Sequence, residues 1–177
     1  MELNLQPILE NKIVALYPLV KADFNELYKV ASDPKIWIQH PNKDRWQRDV
    51  FKHFFDEAII GNGAYKILFK PTGKIVGSTR FYGYNELEKS VSIGYTFLST
   101  YYWGKGINHM IKVMMLDYIF QFVSRVYFHI GAENIRSQKA ISRLGVKKIG
   151  ENVLKKGETF SKINYIYSIE KSQWTSK

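Results

Sequence analysis

The run from Val91 to Ile130 limits the fold more than any other part of the chain. An alternating apolar segment, "SVSIGYTFL", leads through the glycine-bearing turn "YYWGKGIN", Tyr101 to Asn108, into a long amphipathic stretch, and "RVYFHI" follows. Ile107, Met110, Ile111, Met114, Tyr118, Ile119 and Phe122 recur along one helical stripe, which reads as core. Strand, helix and strand in that order predict a right-handed parallel crossover, with the glycine turn as its first connection.

The flanking segments alternate in the same manner. Ile13 to Tyr17 is a short apolar run ended by Pro18, and Phe24, Leu27, Tyr28 and Ala31 then hold helical spacing up to Asp33-Pro34. From Arg45 to Ile60, Trp46, Val50, Phe54, Phe55, Ala58 and Ile59 share one helical face, closed by Gly61. "AYKILFK" and "IVGSTRFYG" flank Pro71-Thr72-Gly73-Lys74, which predicts a hairpin that "SVSIGYTFL" extends. After the crossover, Ile135 to Leu144 reads as a short helix stopped by Gly145, and "VKKIG" and "TFSKINYIYSIE" as two last strands. The expected class is α/β: a mixed, mostly antiparallel sheet with a central parallel strand-helix-strand crossover and flanking helices. No repeat or linker divides the 177 residues, so a single domain over 1–177 is expected.

Composition narrows the chemistry. The chain has no cysteine, which excludes disulfides, zinc-thiolate sites and a cysteinyl covalent intermediate and suits a cytoplasmic address. No stretch approaches the ~18 apolar residues of a membrane span, and the N-terminal segment lacks a basic head with an apolar core, so a soluble, unprocessed chain without membrane partners is expected. Of the net charge of +10, residues 125–177 carry +7, a field that would attract any polyanion or serve only as a solvated surface. No nucleic-acid motif accompanies it and most aromatics fit core periodicity, so no specific nucleic acid is expected as a partner.

Two stretches carry the chemistry. At a strand-to-helix turn the first helical N–H groups lack partners and the dipole favours anions. Gly104 and Gly106 would let a pyrophosphate approach those amides, with Lys105 adding a cation; a merely tight turn is the plainer alternative. A dinucleotide fingerprint would need glycine at His109, and the spacing of a P-loop is absent. The second stretch is "AENIRSQKAISRLGV". Asn134 as N-cap, Ser137 at the third helical position and Gly145 as stop are explained by capping alone. Parallel neighbours nevertheless bring both helix starts to the carboxyl end of the sheet, where open α/β sheets bind ligands.

Together, "SIGYTFLSTYYWGKGIN" and "AENIRSQKAISRLGVKKIGE" resemble the GCN5-related N-acetyltransferase (GNAT) superfamily, particularly the branch that acetylates N-terminal amines of ribosomal proteins. The resemblance extends over nearly the whole chain, because the element order also matches. It implies acetyl-CoA as cosubstrate and an amine acceptor, a peptide N-terminus or a small molecule. Tyr101 to Gly106 match the family's pyrophosphate loop, whose amides here would run from Lys105 through Gly106 and Ile107 to Asn108. Phe97 and Leu98 match the strand end that pairs with pantetheine, Asn134 a pantetheine contact, Ser137 the group that assists the departing thiolate, and Lys139 a partner for the CoA phosphates. Trp37, His40 and Trp46 fall where the family builds its acceptor site, though ordinary packing would also account for them. The resemblance implies no metal and a monomer or homodimer.

This chain departs from the family's pattern at two positions. Tyr101 replaces the usual Gln or Arg, and Ser92 stands where relatives in that branch often carry a glutamate base immediately before "IGY". Glu86, Glu88 or His129 could substitute as base through water, but His129 also reads as a core histidine, so the general base is left open. With no cysteine, direct attack of a bound amine on the thioester is favoured over an acyl-enzyme route. At pH 7 an α-amine of pKa about 8 is neutral in roughly a tenth of molecules, a lysine amine near 10.4 in about one of 2,500. Without a strong base, the α-amine is the easier acceptor. The alternative reading is a non-catalytic module that binds acyl-CoA or a partner.

Overall fold

A computed structural model describes residues 2–156 and 160–175. The strands are β1 (Leu9–Glu10), β2 (Val14–Pro18), β3 (Ala64–Phe69), β4 (Lys74–Asn85), β5 (Ser90–Leu98), β6 (Arg125–Gly131), β7 (Lys147–Lys156) and β8 (Phe160–Glu170). The helices are α1 (Phe24–Ala31), α2 (Arg48–Ile60), α3 (Ile107–Ile119) and α4 (Ile135–Ser142), with short 3-10 turns between them. All eight strands form one sheet in the order β1-β2-β3-β4-β5-β6-β8-β7. Every neighbouring pair is antiparallel except β5 with β6, so the expected parallel crossover lies at the centre of the sheet. Thr159, which opens the last expected strand, lies outside the described residues.

The crossover pair is short. Only Ser90, Val91 and Ser92 pair with Arg125, Val126 and Tyr127. Beyond those three rungs β5 and β6 part, although each continues to its own end.

A bulge explains how β5 serves both sides of the sheet. Arg80 opposes Gly94 and Ser78 opposes Phe97, so β5 holds one residue more than β4 across that interval. Tyr95 absorbs the extra residue at φ 53°. An inserted residue moves every later side chain to the opposite face. Val91 and Ile93 accordingly join the cluster of Ile111, Met115 and Phe128, whereas Phe97 joins Leu27, Trp37, Phe51, Phe54 and Phe55 under α1 and α2. The uninterrupted alternation expected of "SVSIGYTFL" is therefore corrected at Tyr95.

Helix limits also differ from their periodicity. Gln47 caps α2, so Trp46 lies before the helix and is 40% exposed rather than on its buried face. The stripe of α3 is rotated: Ile107, Ile111, Met115, Leu116 and Ile119 are buried, together with Lys112. Met110, Met114, Tyr118 and Phe122 only flank that core. A lysine at a core position has no counterpart in the apolar pattern.

Candidate active site

The parted strands open a slot at the carboxyl end of the sheet, into which both expected helix starts face. Phe97 and Leu98 line it, as do Gly104, Gly106, Ile107 and Asn108 from the turn, and Asn134, Ser137 and Lys139 from α4. The turn takes its form from two glycines in left-handed backbone, Gly104 at φ 73° and Gly106 at φ 78°. A Cβ at Gly104 would meet no atom within 4 Å, so conformation, not packing, selects glycine there. Gly106 caps α3 without a side-chain hydrogen bond, and the first helical bond is Met110 N–H to the Gly106 carbonyl at 3.1 Å. The N–H groups of Ile107, Asn108 and His109 thus lack intrahelical acceptors at the positive end of a helix.

These features fit the pyrophosphate of acetyl-CoA. Among the described residues no Asp or Glu lines the slot, whereas Arg136, Lys139 and Arg143 do. The Nδ1 of His109, which also lines it, is buried without a hydrogen-bond partner. Lys105 departs from expectation. Its ammonium lies 3.4 Å from the centroid of the Tyr101 ring and the residue does not line the slot, so the flanking cations come from α4.

Asn134 is both cap and wall. Its side chain accepts from the Ser137 amide at 3.2 Å, and it is 7% exposed beside the slot. Arg136, passed over in the sequence, ties this helix start to the segment before α2. Its guanidinium donates to the Ile36 carbonyl at 2.8 Å and lies 3.8 Å over Trp103, while its amide donates to Gln39 at 3.0 Å. Burial lowers the Arg136 pKa. Trp103 in turn donates to the Leu98 carbonyl at 3.1 Å, so part of the strand end expected to meet pantetheine already bonds within the protein.

A second cavity of about 270 Å³ adjoins the slot. Trp37, His40, Thr96, Asn108, Asn134 and Ser137 line both, forming the junction between them. Trp37 is held by its indole N–H on the Ala31 carbonyl at 2.7 Å, and His40 packs edge-on against it. Trp46 lines neither cavity and supplies only a backbone carbonyl to Tyr28, which corrects its expected place in the acceptor site.

The second cavity is where sequence reasoning saw least. His129 lines it, half-buried, with Nδ1 2.9 Å from the Tyr82 hydroxyl, and burial pushes its pKa down. Burial also raises Tyr82 to about 12, against an opposing hydrogen bond from Ser92. The position of the missing glutamate thus connects through Tyr82 to a histidine. Lys112, 3% exposed, donates to Thr96 at 2.6 Å and Thr79 at 3.1 Å, and desolvation lowers it to about 7. Among the described residues no cluster of His, Asp and Glu could hold a metal ion, and no helix is long and apolar enough to cross a membrane.

Comparison with known proteins agrees with this architecture. The spermidine N-acetyltransferase of Vibrio cholerae, solved with CoA and spermine, superposes at a TM-score of 0.69 with 17% identity, covering 92% of this chain and 98% of that one. The microcin C7 self-immunity acetyltransferase, solved with acetyl-CoA and AMP, gives 0.74 at 20% identity over 90% and 93% of the two chains. The ribosomal-protein-S5-alanine acetyltransferase of Vibrio fischeri gives 0.72 at 16% identity over 96% and 100%. At such identities the likeness is one of fold. The family described as acetyltransferase (GNAT) domain matches residues 14–147, and with the glycine turn, the capped α4 and the parted strands in place, this chain belongs to the GNAT N-acetyltransferases, with acetyl-CoA as its cosubstrate.

Proposed function

We propose that the chain, acting as one domain, transfers acetyl from acetyl-CoA to a low-pKa α-amine such as a peptide or ribosomal-protein N-terminus, by direct attack within a ternary complex. The observation that carries this reading is the junction: the cofactor slot and a separate cavity meet at Thr96, Asn108, Asn134 and Ser137, so two reactants share one wall. Acetyl-CoA supplies the thioester. The amides of Ile107 to His109, with Lys139, hold its phosphates. The acceptor amine enters from the second cavity past Trp37 and His40.

His129 takes the proton released as the C–N bond forms. For this its Nε2 must be unprotonated, with Nδ1–H donating to the Tyr82 oxygen, and its lowered pKa keeps the ring neutral at physiological pH. The Ser137 hydroxyl donates to the sulfur as the C–S bond breaks. The ribosomal-protein-S5-alanine acetyltransferase offers a precedent for a protein acceptor on this fold.

The test is thiol release from acetyl-CoA with α-amino dipeptides, free lysine, spermine and glucosamine. We expect dipeptides to lead, with Ser137→Ala lowering kcat about tenfold at unchanged KM for acetyl-CoA. Preference for lysine or spermine would overturn the α-amine assignment, and CoA binding without turnover of any amine would overturn transfer.

A further inference from the structure

The second cavity carries an imbalance of charge. Among the described residues no Asp or Glu lines it, yet Arg45 and Lys112 do, and Arg80 stands against Tyr95 in its wall. Arg45 is 8% exposed and Arg80 7%. Neither has an acid within ion-pair distance among the described residues. The nearest carboxylates, Glu57 and Asp44 for Arg45 and Glu57 for Arg80, act only from a distance.

The protein offsets the missing counter-ion with rings. Arg45 lies 4.2 Å from the centroid of Phe54, and Arg80 lies 4.7 Å from Phe54 and 4.0 Å from Tyr95. Polar contacts are few: one Arg45 nitrogen stands 3.1 Å from His40, and one of Arg80 reaches the Phe54 carbonyl at 3.4 Å. Desolvation, and after it repulsion from Arg80, lowers Arg45 to about 10, still charged at neutral pH. A buried guanidinium presents a fork of donors suited to a carboxylate or phosphate, and here most of the fork is unfilled.

The same cavity holds the opposite deficiency elsewhere on its wall. The side-chain oxygens of Asn108 and Asn164 are buried there without a hydrogen-bond partner. Guanidiniums without a counter-ion at the cavity describe a ligand that carries an anion.

Resting on the acetyl-transfer reading above, we propose that the acceptor is an amine that also bears an anionic group, a carboxylate or a phosphate ester, which Arg45 binds with Arg80 behind it. A polyamine is disfavoured by the same cavity, because each further ammonium would meet cations and, among the described residues, no acid.

The test measures binding and turnover separately. With the cofactor slot saturated by CoA, titration calorimetry compares alanyl-glycine with alanyl-glycinamide, and serinamide O-phosphate with serinamide. The first pair reports on a carboxylate and the second on a phosphate. We expect at least one anionic member to bind about tenfold tighter than its neutral partner, and kcat/KM to follow. Arg45→Met should abolish the preference, and Arg45→Lys, which keeps a charge at the site, should retain part of it, with CoA affinity unchanged in both. Equal binding within both pairs, a preference that survives in Arg45→Met, or tighter binding of spermine would overturn the proposal. If the anionic acceptor binds selectively but no thiol is released, the acetyl-transfer reading falls and the anion site stands.

Discussion

The two halves of the cleft are built from different materials. The cofactor half is made of backbone at a helix start, shaped by Gly104 and Gly106 and backed by the capped turn of α4. The acceptor half is made of side chains drawn from distant parts of the chain, Arg45, Tyr82, Lys112, His129 and Asn164. On the function proposed above, backbone chemistry would bind the cosubstrate and side-chain chemistry would select the acceptor.

The sharpest way to break that contrast is to change the backbone half. Gly104→Asp places a carboxylate and a left-handed strain at the turn, and we expect CoA affinity to fall about a hundredfold by calorimetry while the fold persists, since nothing lies within 4 Å of the new Cβ. His129→Gln addresses the acceptor half: we expect kcat/KM to drop about tenfold with CoA affinity unchanged. Because burial lowers the His129 pKa, the wild-type acid limb should lie below the ordinary histidine value, and the variant's pH profile should lose it.

Lys112→Met should raise stability, by about 2 kcal/mol at pH 7. The native lysine titrates near 7 against 10.5 when unfolded, so between these values the unfolded chain holds the extra proton. Wild-type stability is therefore lowest at and below pH 7 and recovers as pH rises towards 10.5, and the variant's urea midpoint should lose that slope. Thr79 and Thr96 retain their mutual bond of 2.8 Å. The smallest effect is expected for Arg136→Ala, a roughly fivefold rise in the KM for both substrates, because the Arg136 side chain braces the junction through Ile36 and Trp103 without entering the chemistry.

The same contrast accounts for what the sequence made legible. Gly104, Gly106, Asn134 and Ser137 act within a few residues of their neighbours, so turn and capping rules find them. Arg45 and Arg80 are 35 residues apart and share a role only because β4 brings Arg80 under Phe54. Lys112 fell on an apolar stripe and was invisible to periodicity, and the Tyr95 bulge was concealed by apolar residues on both sides of it. Nor did the sequence mark the start of α2, because Gln47 caps it without a side-chain hydrogen bond and Trp46 kept the apolar spacing.

The parting of β5 and β6 after three rungs has a consequence for solubility. An uncovered strand edge ordinarily invites another chain to add to it, and proteins blunt such edges with charge, proline or brevity. Here two edges face each other across a cleft lined by the start of α3 and by α4, so the open backbone lies inside the sheet and not at its rim.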